Sequence, residues 1–196
     1  LFFREGEELM RMPHSVYYSR RITELDGAAK ATGLLPGFNF NLMDVQSDFA
    51  HDGSFHGNAA VLRMMQDVRE RSYVGYYANA SHLDEGHSYT GSVDGYFFLT
   101  DAWRVRFQTA GSQEELTDAG QGIAKDSTDW LGYASLIYDL YPWQFALNYT
   151  GITEEFNPLL GYIPRRDIFG PSLFSQYGRR AGTGWYKEFA VSYNPV

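Results

Sequence analysis

The chain has 196 residues, no cysteine and a formal net charge of −8. That excludes a disulfide framework and any thiolate metal site, and the negative balance argues against nucleic acid as a partner. No run of about 18 apolar residues exists, so helical membrane spans are excluded as well. Aromatic residues make up 17% of the chain, with Tyr (15) outnumbering every charged type, yet mean hydropathy is negative. Alternating strands fit that mixture better than a large dry core.

Strand-like segments run at 15–23, 27–34, 38–46, 59–69, 72–80, 89–99, 103–110, 129–139, 143–152, 172–178 and 184–193. Most exceed the roughly 5–6 residues usual in soluble proteins and approach the roughly 9–11 that a tilted membrane strand needs. Residues 61–68 carry a helix-compatible run, Val61-Leu62-Arg63-Met64-Met65-Gln66-Asp67-Val68. A strand is preferred there, because a helix would break the up-down parity of every later strand. The clearest alternation lies in Trp103-Arg104-Val105-Arg106-Phe107-Gln108 and Trp143-Gln144-Phe145-Ala146-Leu147-Asn148-Tyr149. Successive strand side chains point to opposite faces, so each stretch has one apolar and one polar wall. In a soluble sandwich the apolar wall faces a core; in a transmembrane barrel it faces lipid and the polar wall faces a wet lumen.

The connections at 35–37, 69–71, 100–102, 140–142 and 179–183 are short, whereas 46–58, 81–88, 111–128 and 153–171 are long, polar and acidic. Strict alternation of short and long is the asymmetry of outer-membrane barrels. Tyr73, Tyr76, Tyr77, Tyr89, Tyr138, Tyr149 and Tyr193 join Trp103, Trp130, Trp143 and Trp185 at the strand ends. They suit an interfacial aromatic girdle, although aromatics also favour strands generally. The expected fold is all-β, an antiparallel up-and-down transmembrane barrel. With about eleven strands and two edges that lipid does not tolerate unpaired, residues 1–196 read as a fragment of a larger barrel domain. The expected location is the outer membrane of a Gram-negative bacterium, with outer-membrane lipid as the partner.

Several islands then add a family resemblance. They are Phe2-Phe3-Arg4-Glu5-Gly6, Tyr17-Tyr18-Ser19-Arg20-Arg21-Ile22, Gly27-Ala28-Ala29-Lys30-Ala31-Thr32-Gly33, Val61-Leu62-Arg63 with Ser72-Tyr73-Val74-Gly75, Val93-Asp94-Gly95, and Phe156-Asn157-Pro158-Leu159-Leu160-Gly161-Tyr162-Ile163-Pro164-Arg165. In order and spacing they resemble the DUF5916 proteins, bacterial chains with a family 9 carbohydrate-binding-like domain ahead of a predicted outer-membrane barrel. The resemblance implies an upstream carbohydrate-binding-like domain and further barrel beyond Val196. It carries over no catalytic residue, and any glycoside-hydrolase activity would belong to the upstream domain.

Candidate chemistry is sparse. A glycosidase needs two carboxyls facing each other about 5–9.5 Å apart. Glu114-Glu115 and Glu154-Glu155 are adjacent, would point to opposite faces if extended, and fall in predicted loops, where solvated charge is the simpler reading. His51, Asp52 and His56, or His82, Asp84, Glu85 and His87, carry metal-ligating side chains but match no closed motif, so no metal or cofactor is assigned. His14-Ser15 and His87-Ser88 are adjacent rather than evenly spaced, which is wrong for a hydrolase on a barrel wall, and no G-x-S-x-G elbow exists. If Trp103, Val105 and Phe107 face lipid, Arg104 and Arg106 face the lumen, since Arg in the midplane would cost about 2–4 kcal/mol. Lys30 is expected to join them in a lumen-facing basic stripe, favouring anionic or polar solutes or pairing with carboxylates such as Asp94. The loop bearing Phe156, Asn157, Pro158, Gly161 and Arg165 is a candidate plug, or else a rim turn packing Phe156 and Tyr162. The favoured function is a non-enzymatic, porin-like channel or surface barrel linked to carbohydrate binding or uptake. The alternatives are a carbohydrate-active hydrolase and a soluble β-sandwich binding module.

Overall fold

A computed structural model describes residues 8–50, 54–117, 124–180 and 188–193. The chain is all-β: β1 (Ile22–Leu35), β2 (Phe38–Ala50), β3 (Ser54–Arg69), β4 (Ser72–Leu83), β5 (Gly86–Phe98), β6 (Trp103–Thr117), β7 (Ala124–Leu140), β8 (Trp143–Ile152), β9 (Ile168–Arg180) and β10 (Glu188–Tyr193). All ten lie in one sheet in sequence order, and every neighbouring pair is antiparallel. This is an up-and-down meander, with no ladder joining β1 to β10 among the described residues.

Residues 61–68 lie within β3; burial alternates through Arg63, and the ladder to β4 is irregular between Asp67 and Arg69. Two expectations are corrected. Residues 15–23 do not form an eleventh strand: only Ser15 makes an isolated bridge, to Tyr162, and Ser19–Arg21 is a 3-10 turn. Pro13 has no N–H to give a ladder, and Met10, Met12 and Val16 bury against the sheet instead of extending it. The connections 46–58, 81–88 and 111–128 are not long loops either: in the last of these β6 runs on to Thr117 and β7 starts at Ala124. Strands β2 and β3 continue to Ala50 and Ser54, while β4 and β5 meet at a two-residue turn between Leu83 and Gly86. The same face stays buried through Val45, Ser47 and Phe49. On the other face polar side chains pair across strands: Asp44 with Asn58 at 3.0 Å and Asp48 with His56 at 2.7 Å. Loss of apolar character there marks a change of surroundings, not the end of a strand.

The sheet has one covered and one open face. Residues 8–21 and 153–163 cover it, and the core forms beneath them: Met10, Met12, Val16, Phe156, Leu159, Leu160 and Ile163 pack with Met43, Val45, Phe49, Ala59, Val61, Tyr77, Leu131 and Ile152. Two backbone ties and one from a side chain hold the covering segments together: Tyr18 N–H donates to Leu160 O, Tyr162 N–H to Ser15 O, and Arg21 Nε to Gly161 O.

Candidate functional site

The covered face is unusual for a β-protein core because much of it is polar. Asn41, Ser47, Arg63, Asn79, Ser81, Ser88, Thr90, Ser92, Asp94, Gln108, Ser112, Glu114 and Ser135 are all buried there. Buried polar groups need partners, and most of these find them across strands and in the covering segments; of this set, Asn41 Oδ1, Thr90 Oγ1 and Ser135 Oγ have none among the described residues. Arg63 on β3 reaches over β4 to Asp94 on β5, with both side chains fully buried. The pair is bidentate, Nη1 to Oδ1 at 2.5 Å and Nη2 to Oδ2 at 3.0 Å, while Nε donates to Leu9 O at 2.7 Å. Gly75 makes this possible: a Cβ there would sit 2.6 Å from Arg63 Nη2, so only glycine lets the guanidinium lie flat on β4.

Gln108 forms a second clamp. Its Oε1 accepts from His14 N–H at 2.7 Å, and its Nε2 donates to His14 O at 3.1 Å and to Ser92 Oγ at 3.2 Å. A side-chain amide here reads an extended backbone as a neighbouring strand would. The His14 ring packs edge-on against Tyr133, centroids 5.2 Å apart. Burial first, and the Arg106 guanidinium second, hold His14 below its ordinary 6.5. Burial likewise pushes the Tyr17 phenol up; its hydroxyl contacts Met43 Sδ.

Between the covering segment and the sheet lies a cavity of about 580 Å³. Met10, Arg11, Met12, Ser15, Tyr17, Tyr18, Ser19 and Arg20 line it on one side, and Lys30, Asn41, Met43 and Arg106 on the other. The structure therefore brings Lys30 and Arg106 to one space and sets Arg104 apart. Arg104 pairs with Asp139 and Tyr96, and Asp94 belongs to Arg63, not to the cations expected beside it.

The open face carries the aromatic and aliphatic side chains. Leu42, Leu62, Tyr76, Tyr89, Trp130, Leu136, Trp143, Leu147, Tyr149, Phe169, Leu173 and Val191 all present exposed surface. At the end of the short turns Trp103 meets Tyr138 and Phe145 at 5.1 and 5.3 Å, and Trp143 meets Tyr177 at 4.7 Å. Towards the other end Trp130 meets Phe169 at 5.8 Å. Tyr73 and Tyr77, expected among the girdle, lie elsewhere. Tyr77 is buried on the covered face, and Tyr73 lies tilted beside Tyr96, ring centroids 6.3 Å apart, whose cross-strand partner is the cavity-lining Arg106. Trp185 lies outside the described residues.

Phe156, Asn157, Pro158 and Gly161 are buried as part of the covering layer, whereas Tyr162 and Arg165 are exposed. Glu114 is not a loop residue: β6 extends through it, and its buried carboxylate accepts from Ser88 Oγ at 3.2 Å. Glu115 is on the opposite side, near His87 at 3.6 Å, so the two carboxyls are split between faces. Glu154 and Glu155 are exposed. No group of three or more potential metal ligands occurs among the described residues, and His51 and Asp52 lie outside them.

The residues sequence reasoning missed are Gln108, Asn41 and the backbone of 8–18. One signal was present for Arg63: a lone cation in an apolar run, in step with Val61 and Ala59. No family model, no curated protein and no solved structure matches the chain.

Proposed function

We propose that the chain is part of the wall of an outer-membrane β-barrel whose lumen is filled by its own residues 8–21 and 153–163. The observation that supports this best is the open face: apolar, exposed and bounded by aromatic clusters, behind a polar covered face. Water would penalise that arrangement, and lipid would reward it. Dimensions agree. Along β7 the open-face positions from Trp130 to Leu140 span about 33 Å at ~3.3 Å per residue. With a strand tilt of ~40° this projects to about 25 Å, the height of an outer-membrane apolar band. The uncovered edge strands β1 and β10 would be completed by further strands, as lipid demands.

The work of such a barrel is passage or binding rather than catalysis. The converging buried groups are an ion pair, amides and hydroxyls that hold one another. A link to carbohydrate binding or uptake rests on the DUF5916 resemblance and its upstream domain. The test is tryptophan quenching by brominated lipids after reconstitution. Trp130 and Trp143, each kept as the single tryptophan, are expected to quench most with bromines near the interface. A protein that stays monodisperse without detergent, its tryptophans unquenched, would overturn the reading.

A further inference from the structure

We propose that the cavity between the 8–21 segment and strands β1, β2 and β6 binds a small hydroxylated anion, a phosphate monoester or a hydroxy acid. The proposal deepens the plugged-barrel reading, which it uses only to say how solute arrives. Among the described residues, four cations line the space, Arg11, Arg20, Lys30 and Arg106, and no carboxylate does. In a chain of net charge −8 that local excess is opposite to the composition. On the same face Asp94 and Asp139 are engaged by Arg63 and Arg104. The positive field is felt by a bystander: after burial, the Arg106 guanidinium is the second cause that holds His14 below its ordinary value.

The hydroxyl requirement comes from Asn41. It is 2% exposed and lines the cavity, yet its Oδ1 has no hydrogen-bond partner among the described residues. A buried acceptor of that kind is stabilised by a donor, and a fully ionised carboxylate, sulfate or phosphate-monoester group supplies none. A ligand hydroxyl does. Arginine forks suit a phosphate or carboxylate held in two-point fashion, with lysine as a point charge. A volume of about 580 Å³ suits a single small molecule, not a polymer.

Calorimetric titration of the protein in phosphatidylcholine nanodiscs with glycerol phosphate, sulfate and glycerol tests this. Expected is saturable binding of glycerol phosphate, at least tenfold weaker binding of sulfate, and none of glycerol. Lys30→Gln and Arg106→Gln should each weaken glycerol phosphate at least tenfold. Asn41→Leu should reduce its advantage over sulfate. Arg104→Gln, two residues along the same strand, should change it less than twofold. Absence of binding by a protein that is folded and lipid-inserted overturns the cavity assignment and leaves the barrel reading standing. Equal loss on Arg104→Gln reduces the effect to general charge and also overturns it. Competition by phosphatidylglycerol added to the nanodisc would make a lipid headgroup the occupant, against a free solute. Should the protein prove soluble, the same titration in buffer decides the cavity while the barrel reading falls.

Discussion

Replacing Asp94 by Asn keeps the size of the side chain and removes its charge. Arg63 is then left fully buried with a neutral amide and the Leu9 carbonyl as partners. At a charge separation of ~4 Å the lost attraction is about 4 kcal/mol at an effective dielectric constant of ~20. Uncompensated charge left by breaking one half of a buried pair costs about 3–5 kcal/mol in general, and the two estimates agree. The assay is urea unfolding of the lipid- or detergent-folded protein followed by tryptophan fluorescence, with Asp94→Asn, Arg63→Met and the double variant. Each single change should destabilise by about 3–5 kcal/mol, and the double variant by clearly less than the sum. The residual cost in the double variant is the Arg63–Leu9 tether, which also anchors the start of the 8–21 segment. A loss below about 1 kcal/mol for Asp94→Asn would refute the reasoning, because a pair of that strength is solvent-screened and the lumen would be open to water.

Other expectations follow from the two faces. Leu147→Arg, at the middle of β8 on the open face, should cost about 2–4 kcal/mol in lipid-folded protein, against near zero for a surface facing water; unfolding titrations distinguish the two. Gly75→Ala should push the Arg63 guanidinium off β4 and reproduce much of the Asp94→Asn loss, whereas Gly91→Ala, where added bulk meets nothing, should not. Gln108→Ala removes both clamps on His14 and should raise protease cleavage within 8–18 without unfolding the sheet, read by mass spectrometry and circular dichroism. The docked segment should also loosen in acid. His14 sits below its ordinary 6.5 when docked, so the undocked form takes up the proton first. Docking is then strongest above pH ~6.5 and weakens as pH falls through the docked value. Hydrogen-exchange protection of 8–18 that is flat from neutral pH downwards would contradict this.

Strand parity was legible because it needs only neighbouring residues. Trp103 to Gln108 and Trp143 to Tyr149 state their two faces directly, and the meander follows from short turns. Strand ends were not legible, because polarity was taken as loop. Asp44, Gln46 and Asp48 alternate with Val45, Ser47 and Phe49 as faithfully as the apolar stretch before them, but against polar partners on β3. The site was less legible still. Tyr17 and Tyr18 look like another aromatic strand, and only contacts with Leu160 and Ser15's bridge to Tyr162 reveal a covering segment. Tyr77 resembles Tyr76 in sequence, and one step of parity separates a core residue from a surface one. Glu114 and Arg63 read as stray charges until the opposite strand supplies Ser88 and Asp94.

The sheet and its covering layer place opposite demands on the order of assembly. Each strand pairs only with its sequence neighbours, so the wall grows by successive hairpins, most of them closing a short loop at modest entropic cost, with the long stretch between Ile152 and Ile168 as the exception. The covering segment belongs to the start of the described chain, yet its clamps reach across 94 residues to Gln108 and 140 residues to Gly161. Neither partner exists as a formed surface until β6 and β8 are in place. Residues synthesised early are thus seated late, and until then Met10, Met12 and Val16 have no shelter. The interval between a finished wall and a filled interior is a distinct stage in the life of this protein, one in which the polar face lies open from end to end.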